Sequence, residues 1–476
     1  MENDPTRSRY LNKRYFLIWR RFCTNESGVI TIFAIMMLLM MLMVSGIGVD
    51  LMRNEMERTR LQNTLDRAVL AAADLDQTLD PAAVVADYFS KVGLASYLSG
   101  VTVTEGLNFR TVVVSANGTS PTQFMSMVGV DSLPVPARGS AEERVAKVEI
   151  SMVLDISGSM KNNSKMNNLR DAAKTFVDTV IRPETEGLVS LSMVPYSEHV
   201  NVGPNIFNEL NTNTYHNYSH CLEVPNSHFT SAAIDQSHTY SQMQHYQWNS
   251  YSIQSGSTQN TRYDTVCPRN SYERIAPISQ DGDALKAQID QLRPRAGTSI
   301  FLGMKWGVAL LDPGFNTITS ALVQSNVVDE TFADRPVAYD DSETLKTVIL
   351  MTDGQNSKSS RISSWAYNSN SEYVHWNNYN FQWYLNNYVS YNNRSSYYWQ
   401  KYSASQGDDL LDDICDAAKA QGIVIWAIGF ETTDHGASTM QSCASSASHY
   451  FRVEGVELSE AFQAIARQIN QLRLTQ

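Results

Sequence analysis

The sequence predicts an α/β protein: a doubly wound, mostly parallel sheet of Rossmann-like type with long insertions. This head is expected on an N-terminal transmembrane helix, a helical stalk and a small α+β module. Three observations predict it. Val29–Val49 holds no charged residue. Helical spacing of apolar residues continues beyond residue 50. From residue 146 onward, short continuous apolar runs alternate with amphipathic helical patterns, as strands buried on both faces require.

The chain has 476 residues, of which 43% are hydrophobic and 18% charged, so it can build packed cores and is not disordered as a whole. Its net charge of −12 (37 basic against 49 acidic residues) makes it a poor non-specific binder of nucleic acid. No cysteine lies in a CxxC pair, and no GxxxxGK[ST], HExxH or GxSxG motif occurs.

The 21 residues from Val29 to Val49 would span about 32 Å as a helix, the thickness of a bilayer core. Arg7, Arg9, Lys13, Arg14, Arg20 and Arg21 precede them, against Glu2, Asp4 and Glu26. The positive-inside rule then keeps residues 1–28 in the cytoplasm and exports everything after Asp50. In a Gram-negative cell this means a single-pass inner-membrane protein with a periplasmic head; a cleaved signal peptide is the alternative.

Leu51, Met52, Met56, Leu61, Leu65, Ala68, Val69 and Ala72 carry the helix on as an amphipathic stalk over 50–79. Asp80-Pro81 reads as an N-cap and first helical position, opening a helix that runs to Gly93. Gly100–Thr104 and Asn108–Ala116 alternate like strands, and Pro134 and Pro136 precede a further strand from Ala146. Residues 80–145 thus read as a small α+β module. Residues 146–476 form the head, with strands at 148–154, 188–194, 345–351, 423–428 and 449–453. Helices are expected at 165–181, 283–292, 299–311, 408–421 and 458–472.

Insertions at about 199–280 and 354–405 break this rhythm. The first holds His216, His220, His228, His238 and His245 without tight ligand spacing, so they read as loop histidines. In the second, residues 361–405 carry 9 of the 23 tyrosines and 4 of the 8 tryptophans, a composition suited either to recognition or to packing on the domain itself. Asp408, Asp409, Asp412 and Asp413 read as an acidic helix start. Cys23 lies on the cytoplasmic flank, whereas Cys221, Cys267, Cys415 and Cys443 are exported. Four cysteines allow three connectivities; Cys221–Cys267 and Cys415–Cys443 are favoured because each pair falls within one segment, with free buried thiols as the alternative.

The chemistry concentrates in Asp155-Ile156-Ser157-Gly158-Ser159-Met160, directly after the strand VEISMVL. In a doubly wound sheet, ligands sit outside the carboxyl ends of strands. Thr298, in Ala296-Gly297-Thr298-Ser299, stands at a helix start, and Asp353 follows the strand LKTVILM. Two carboxylates and three hydroxyls can converge there, and oxygen ligands in number select a hard cation such as Mg²⁺.

These residues resemble the von Willebrand factor A domain, whose metal-ion-dependent adhesion site is written DxSxS, a distant Thr and a distant Asp. The resemblance assigns Asp155, Ser157, Ser159, Thr298 and Asp353 as metal residues for Mg²⁺ (or Ca²⁺ or Mn²⁺). It implies two serines bound to the ion, aspartates acting largely through water, and an open position completed by a partner's Asp or Glu. Such a bridge needs no general base, so no enzymatic activity is expected.

Gly28, the apolar helix, Gly48-Val49-Asp50, Arg53, Leu61-Gln62, Leu65-Asp66 and Ala71–Ala73 resemble the N-terminus of TadG-like proteins of Flp (tight-adherence) pilus assembly. Pilus-assembly proteins are then the expected partners. The fifth position after Gly28 is Phe33, where pilins carry Glu, so pilin-like polymerisation is not expected. The alternatives are a surface-exposed or released adhesin binding host matrix or glycans and, more remotely, a metal-dependent hydrolase using Ser157 or Ser159. The hydrolase lacks a His base fixed by a carboxylate at usable spacing.

Overall fold

The computed structural model describes residues 18–21, 27–74, 77, 79–105, 109–144, 147–248 and 264–475. Most of the basic segment, with Cys23, lies outside the described residues. The chain divides into two compact units, Met1–Arg144 and Val145–Gln476.

In the first unit, helix α1 (Ser27–Ala73) runs 47 residues without a break. Its apolar side chains from Ile30 to Val44 are exposed. Among the described residues it is the one helix long and apolar enough to cross a membrane. From Leu61 onward the same helix changes role. Leu61, Leu65, Ala68, Val69 and Ala72 are buried against Val84, Val85 and Phe89 of α2 (Pro81–Lys91) and against Val112, Val114 and Val135 of a sheet. The segment expected as a stalk over 50–79 therefore doubles as the core element of the module, because its apolar stripe needs a face to pack on.

That sheet is antiparallel, with β1 (Leu98–Glu105), β2 (Phe109–Pro121) and β3 (Ser132–Arg144) in sequential order. Pro134 and Pro136, expected ahead of a strand, lie inside β3 opposite Thr119 and Asn117. An edge strand tolerates proline because alternate N–H groups face away from the ladder, which is why this strand was not legible.

The main sheet of the second unit has six strands: β4 (Lys147–Asp155), β5 (Val189–Tyr196), β6 (Ala276–Ser279), β7 (Thr344–Thr352), β8 (Val424–Phe430) and β9 (Tyr450–Val453). Their spatial order is β9-β8-β7-β4-β5-β6, with every pairing parallel except the antiparallel edge β6 against β5. This is a doubly wound, mostly parallel sheet. Strand β6 was not expected, since four residues that include a proline carry too little pattern.

Along β4, Val148, Ile150, Met152 and Leu154 face one core with α3 (Lys165–Val180), α4 (Gly282–Gln291) and α8 (Glu457–Thr475). Val153 faces the other core with α5 (Ile300–Ala309) and α6 (Ala404–Ala420). Helix α6 begins four residues before Asp408, capped by Ser403, whose side chain accepts the Gln406 N–H. The aspartates expected at its start therefore fall in later turns. Asp408 instead accepts from Asn356 Nδ2 at 2.9 Å and pairs with His435 at 2.9 Å.

The two insertions pack on each other. Cys221, Met243, Tyr246, Val266 and Cys267 share a core with Ile362, Ala366, Tyr367, Trp376, Phe381 and Leu385. Backbone bonds from Phe381 to Gln247 (3.0 Å) and from Gln382 to Trp248 (3.2 Å) tie them together. Disulfides Cys221–Cys267 and Cys415–Cys443 are both formed. The second joins α6 to α7 (Asp434–Cys443). The aromatic tract divides: Trp376 and Phe381 are core, whereas Trp365, Tyr388, Tyr391 and Trp399 are exposed.

His245 is buried in this satellite core, its ring bonded to Tyr367 Oη at 2.5 Å and to the Tyr373 carbonyl at 2.9 Å. Burial, then the neighbouring His216, holds its imidazole down at about 2, and burial holds His216 at about 4. The unfolded chain, with histidine near 6.5, takes up these protons first, so the stability they contribute is complete above about pH 6.5 and falls as pH drops towards 4. Thermal melts of the wild type and of His245→Gln across that window should show a flatter slope in the variant; equal slopes would place the acid sensitivity elsewhere.

Candidate functional site

Strands β4 and β7 lie side by side, with Leu154 opposite Met351. The sheet runs outward from this pair to β5 on one side and to β8 on the other, so the crevice at their carboxyl ends is the topological switch point. Asp155 is the last residue of β4, and Asp353 follows the last residue of β7. Strand pairing alone thus sets the two carboxylates next to each other.

Asp155 is fully buried. Its Oδ1 accepts the Ser157 N–H at 2.7 Å, and its Oδ2 accepts the Thr352 hydroxyl at 2.6 Å. The Ser157 and Ser159 hydroxyls lie 3.0 Å apart, and Ser159 donates to Asp353 Oδ1 at 2.6 Å. Asp353 Oδ2 accepts from Lys165 Nζ at 3.1 Å. Lys165 is itself buried and stands 3.7 Å from Glu431. Four of the five expected residues therefore form one linked group.

The fifth, Thr298, reaches the same place through its loop. Arg295 N–H bonds the Ile156 carbonyl at 2.8 Å, and Gly158 N–H bonds that of Ala296 at 3.1 Å. Thr298 N–H donates to Ser357 Oγ at 2.8 Å, and Ser357 N–H donates to the Thr298 carbonyl at 2.8 Å. Thr298 lines a cleft of about 1120 Å³ together with Gly158, Ser159, Ser357 and Lys358. Gly297 is required by close approach: a Cβ there would stand 2.8 Å from Ser357 Oγ and 3.3 Å from Glu198 Oε2.

Several contributors were not singled out from sequence. Lys165 read only as the first residue of a helix, and Thr352 only as the residue ahead of Asp353. Glu198 is buried beside the Thr298 loop and accepts from Ser359 Oγ at 2.8 Å; burial pushes its carboxyl up. Glu431 follows β8 and has no local motif. Glu198 and Glu431 share the signal of lying just after an apolar strand, visible only once the strand order is known.

Burial, and then the charge of Asp353, push the Asp155 carboxyl up to about 7. Two carboxylates thus share one dry crevice in which a single ammonium contacts Asp353. Among the described residues there is no group of three or more His, Cys, Asp or Glu able to hold a metal ion. The donor set is instead carboxylate and hydroxyl oxygen, which suits a hard divalent cation rather than a thiolate or imidazole metal.

Residues 28–75 match the Tad family model, "Putative Flp pilus-assembly TadE/G-like". No curated protein matches the chain. Among solved structures, the von Willebrand factor domain of the type V pili tip protein Mfa5 from Porphyromonas gingivalis is 15% identical, with a TM-score of 0.35; the match covers 70% of this chain and 97% of that one. The pilus adhesin SpaC from Lactobacillus rhamnosus GG is 15% identical at a TM-score of 0.33, covering 78% of this chain but only 34% of SpaC. Proximal thread matrix protein 1 from the mussel byssus, with a zinc-occupied adhesion-site motif, is 14% identical at a TM-score of 0.28, covering 69% and 46%.

Replacing Lys165 by Met leaves Asp353 buried without its ammonium, which should cost the head about 3–5 kcal/mol. Denaturant unfolding of the metal-free protein checks this; unchanged stability would mean that Lys165 does not neutralise the pair. Residues 28–75 carry the Flp pilus-assembly TadE/G-like match, on a chain whose second unit, Val145–Gln476, folds as a mixed α/β head with a mostly parallel sheet.

Proposed function

We propose that the protein is a membrane-anchored interaction component of Flp/Tad pilus assembly. Its periplasmic head would bind a carboxylate of a protein partner through a divalent cation, Mg²⁺ or in its place Ca²⁺ or Mn²⁺. Asp155, Ser157, Ser159, Thr298 and Asp353 would hold that ion. The observation that carries the reading is the linked group at the switch point, where Asp155, Ser157, Ser159 and Asp353 are joined by contacts of 2.6–3.0 Å and Ser159 opens onto a cleft that Thr298 also lines.

Each part of the site has a physical role in this reading. The buried carboxylates supply negative charge that water no longer screens. The serine hydroxyls offer neutral oxygens between the carboxylates. The bonds from Gly158 and Arg295 to the neighbouring loop hold Thr298 in register with the DISGS turn. When bound, the cation supplies a Lewis-acidic position that an incoming carboxylate completes.

The pilus context is supported by the family match at residues 28–75, and the membrane anchor by the exposed apolar stretch of the helix that carries most of it. A second reading, an adhesin meeting glycans or matrix at the cell surface, draws on the exposed Trp365, Tyr388, Tyr391 and Trp399.

Calorimetric titration of the full-length protein with Mg²⁺ should show binding that Asp155→Ala abolishes while the head keeps its fold; equal affinity in the variant would remove the site. Capture of partners in Mg²⁺ and their release by EDTA tests the bridge. Inner-membrane pilus-assembly proteins in the eluate support the assembly role, and recovery of the head in the medium supports the adhesin.

A further inference from the structure

The loop between β2 and β3 is fastened to α1 where the uncharged stretch of that helix ends. Asp50 is the first charged residue after Val29–Val49, yet its side chain is only 3% exposed. Its Oδ1 accepts the Gln123 N–H at 3.0 Å, and its Oδ2 accepts those of Phe124 at 2.7 Å and Met125 at 2.8 Å. Three consecutive amides thus close on one carboxylate, a strong charge-assisted arrangement. One helical turn earlier, Gly46 faces the Phe124 ring; a Cβ at that position would come within 2.4 Å of ring atoms. Helix and loop are fitted to each other at both ends of the turn 46–50.

What this clamp presents is apolar. Residues 116–130 contain no charged side chain, and Asp131 is the first to follow. At the tip, in the short turn Met125–Val128, Met127 is 76% exposed and Val128 is 51% exposed. Two exposed apolar residues on a loop would ordinarily mean little. Here they stand beside helix residues 46–50, where a span of 21 uncharged residues leaves the hydrocarbon. Irregular backbone is excluded from the acyl core but is hydrated at the headgroup level, where small apolar groups partition favourably.

We infer that the tip Gln123–Val130 is a membrane-interface wedge. Met127 and Val128 enter the headgroup–acyl boundary of the leaflet from which α1 emerges, and the Asp50 clamp sets their depth relative to the helix. The occupant of this surface is the lipid bilayer. The inference rests on reading α1 as a membrane span, and it adds a second contact between this unit and the membrane.

The test uses full-length protein in phosphatidylcholine–phosphatidylglycerol vesicles, in a Cys23→Ser background. Met127→Cys, and separately Thr104→Cys at the opposite end of the sheet, carry a polarity-sensitive fluorophore. The expected result is a blue-shifted emission at 127, quenched more strongly by nitroxide lipids labelled near the headgroup than by lipids labelled deep in the chain, with no shift at 104. Adding Asp50→Asn should move the 127 emission back towards its aqueous position while the protein stays in the membrane; an unchanged blue shift would overturn the clamp. Resistance to alkaline extraction reports the span independently. Resistant protein with an aqueous, unquenched label at 127 overturns the wedge alone, whereas extractable protein overturns the span and the wedge with it.

Discussion

Two carboxylates forced into one dry crevice are the constraint around which the head is organised. Asp155 and Asp353 come together because β4 and β7 are neighbours in a parallel sheet whose connections diverge at that point. Burying like charges is costly unless partners answer them. The partners are Thr352 of β7, the Ser157 amide and Ser159 of the turn after β4, and Lys165 of α3. Ordinary backbone bonds then draw the Thr298 loop against the same turn. The proposed cation would be a further answer to the same electrostatic problem.

At the other end of the sheet, buried charge is already satisfied. Lys346 pairs with Glu149 across adjacent strands and also bonds the Leu311 carbonyl at 3.0 Å. Arg335 bonds Ser190 Oγ at 2.6 Å and the carbonyls of Val148 and Leu188 at 3.0 and 2.7 Å. These groups close on protein atoms and read as structural. The difference between the two ends is one of chemistry: one terminates in completed ion pairs and carbonyl bonds, the other in two buried carboxylates beside Ser159 and Thr298, hydroxyl residues that line a cleft.

The insertions extend the top of the head rather than decorate it independently. Their shared core explains why neither reads as a folded segment by itself, since each supplies half of an apolar cluster. Glu198 and Ser359 bring the roots of the two insertions together beside Thr298. Arg361 and Glu223 add a largely buried ion pair between the insertions. Both insertions line the cleft, the first through Trp248 and Asp264 and the second through Ser357, Lys358 and Ser360.

Local pattern was enough for the elements whose side chains repeat regularly or whose roles are set by adjacency. The uncharged run of α1, the apolar strands β4, β7 and β8, the placement of Asp155, Ser157, Ser159 and Asp353 just beyond strands, and the Cys221–Cys267 and Cys415–Cys443 pairs were all legible, because each depends on neighbours in the chain. Non-local choices were not. The edge strand β3 hides behind its prolines, β6 is too short to show a period, and α6 starts on a Ser403 cap rather than on its aspartates. Lys165 and Glu431 acquire meaning only when the fold brings them to Asp353, Glu198 only when the Thr298 loop closes beside it, and Asp50 only when a loop more than 70 residues away closes on it. Side-chain periodicity is a property of a segment, whereas charge compensation is a property of a place, and only the packed chain creates places.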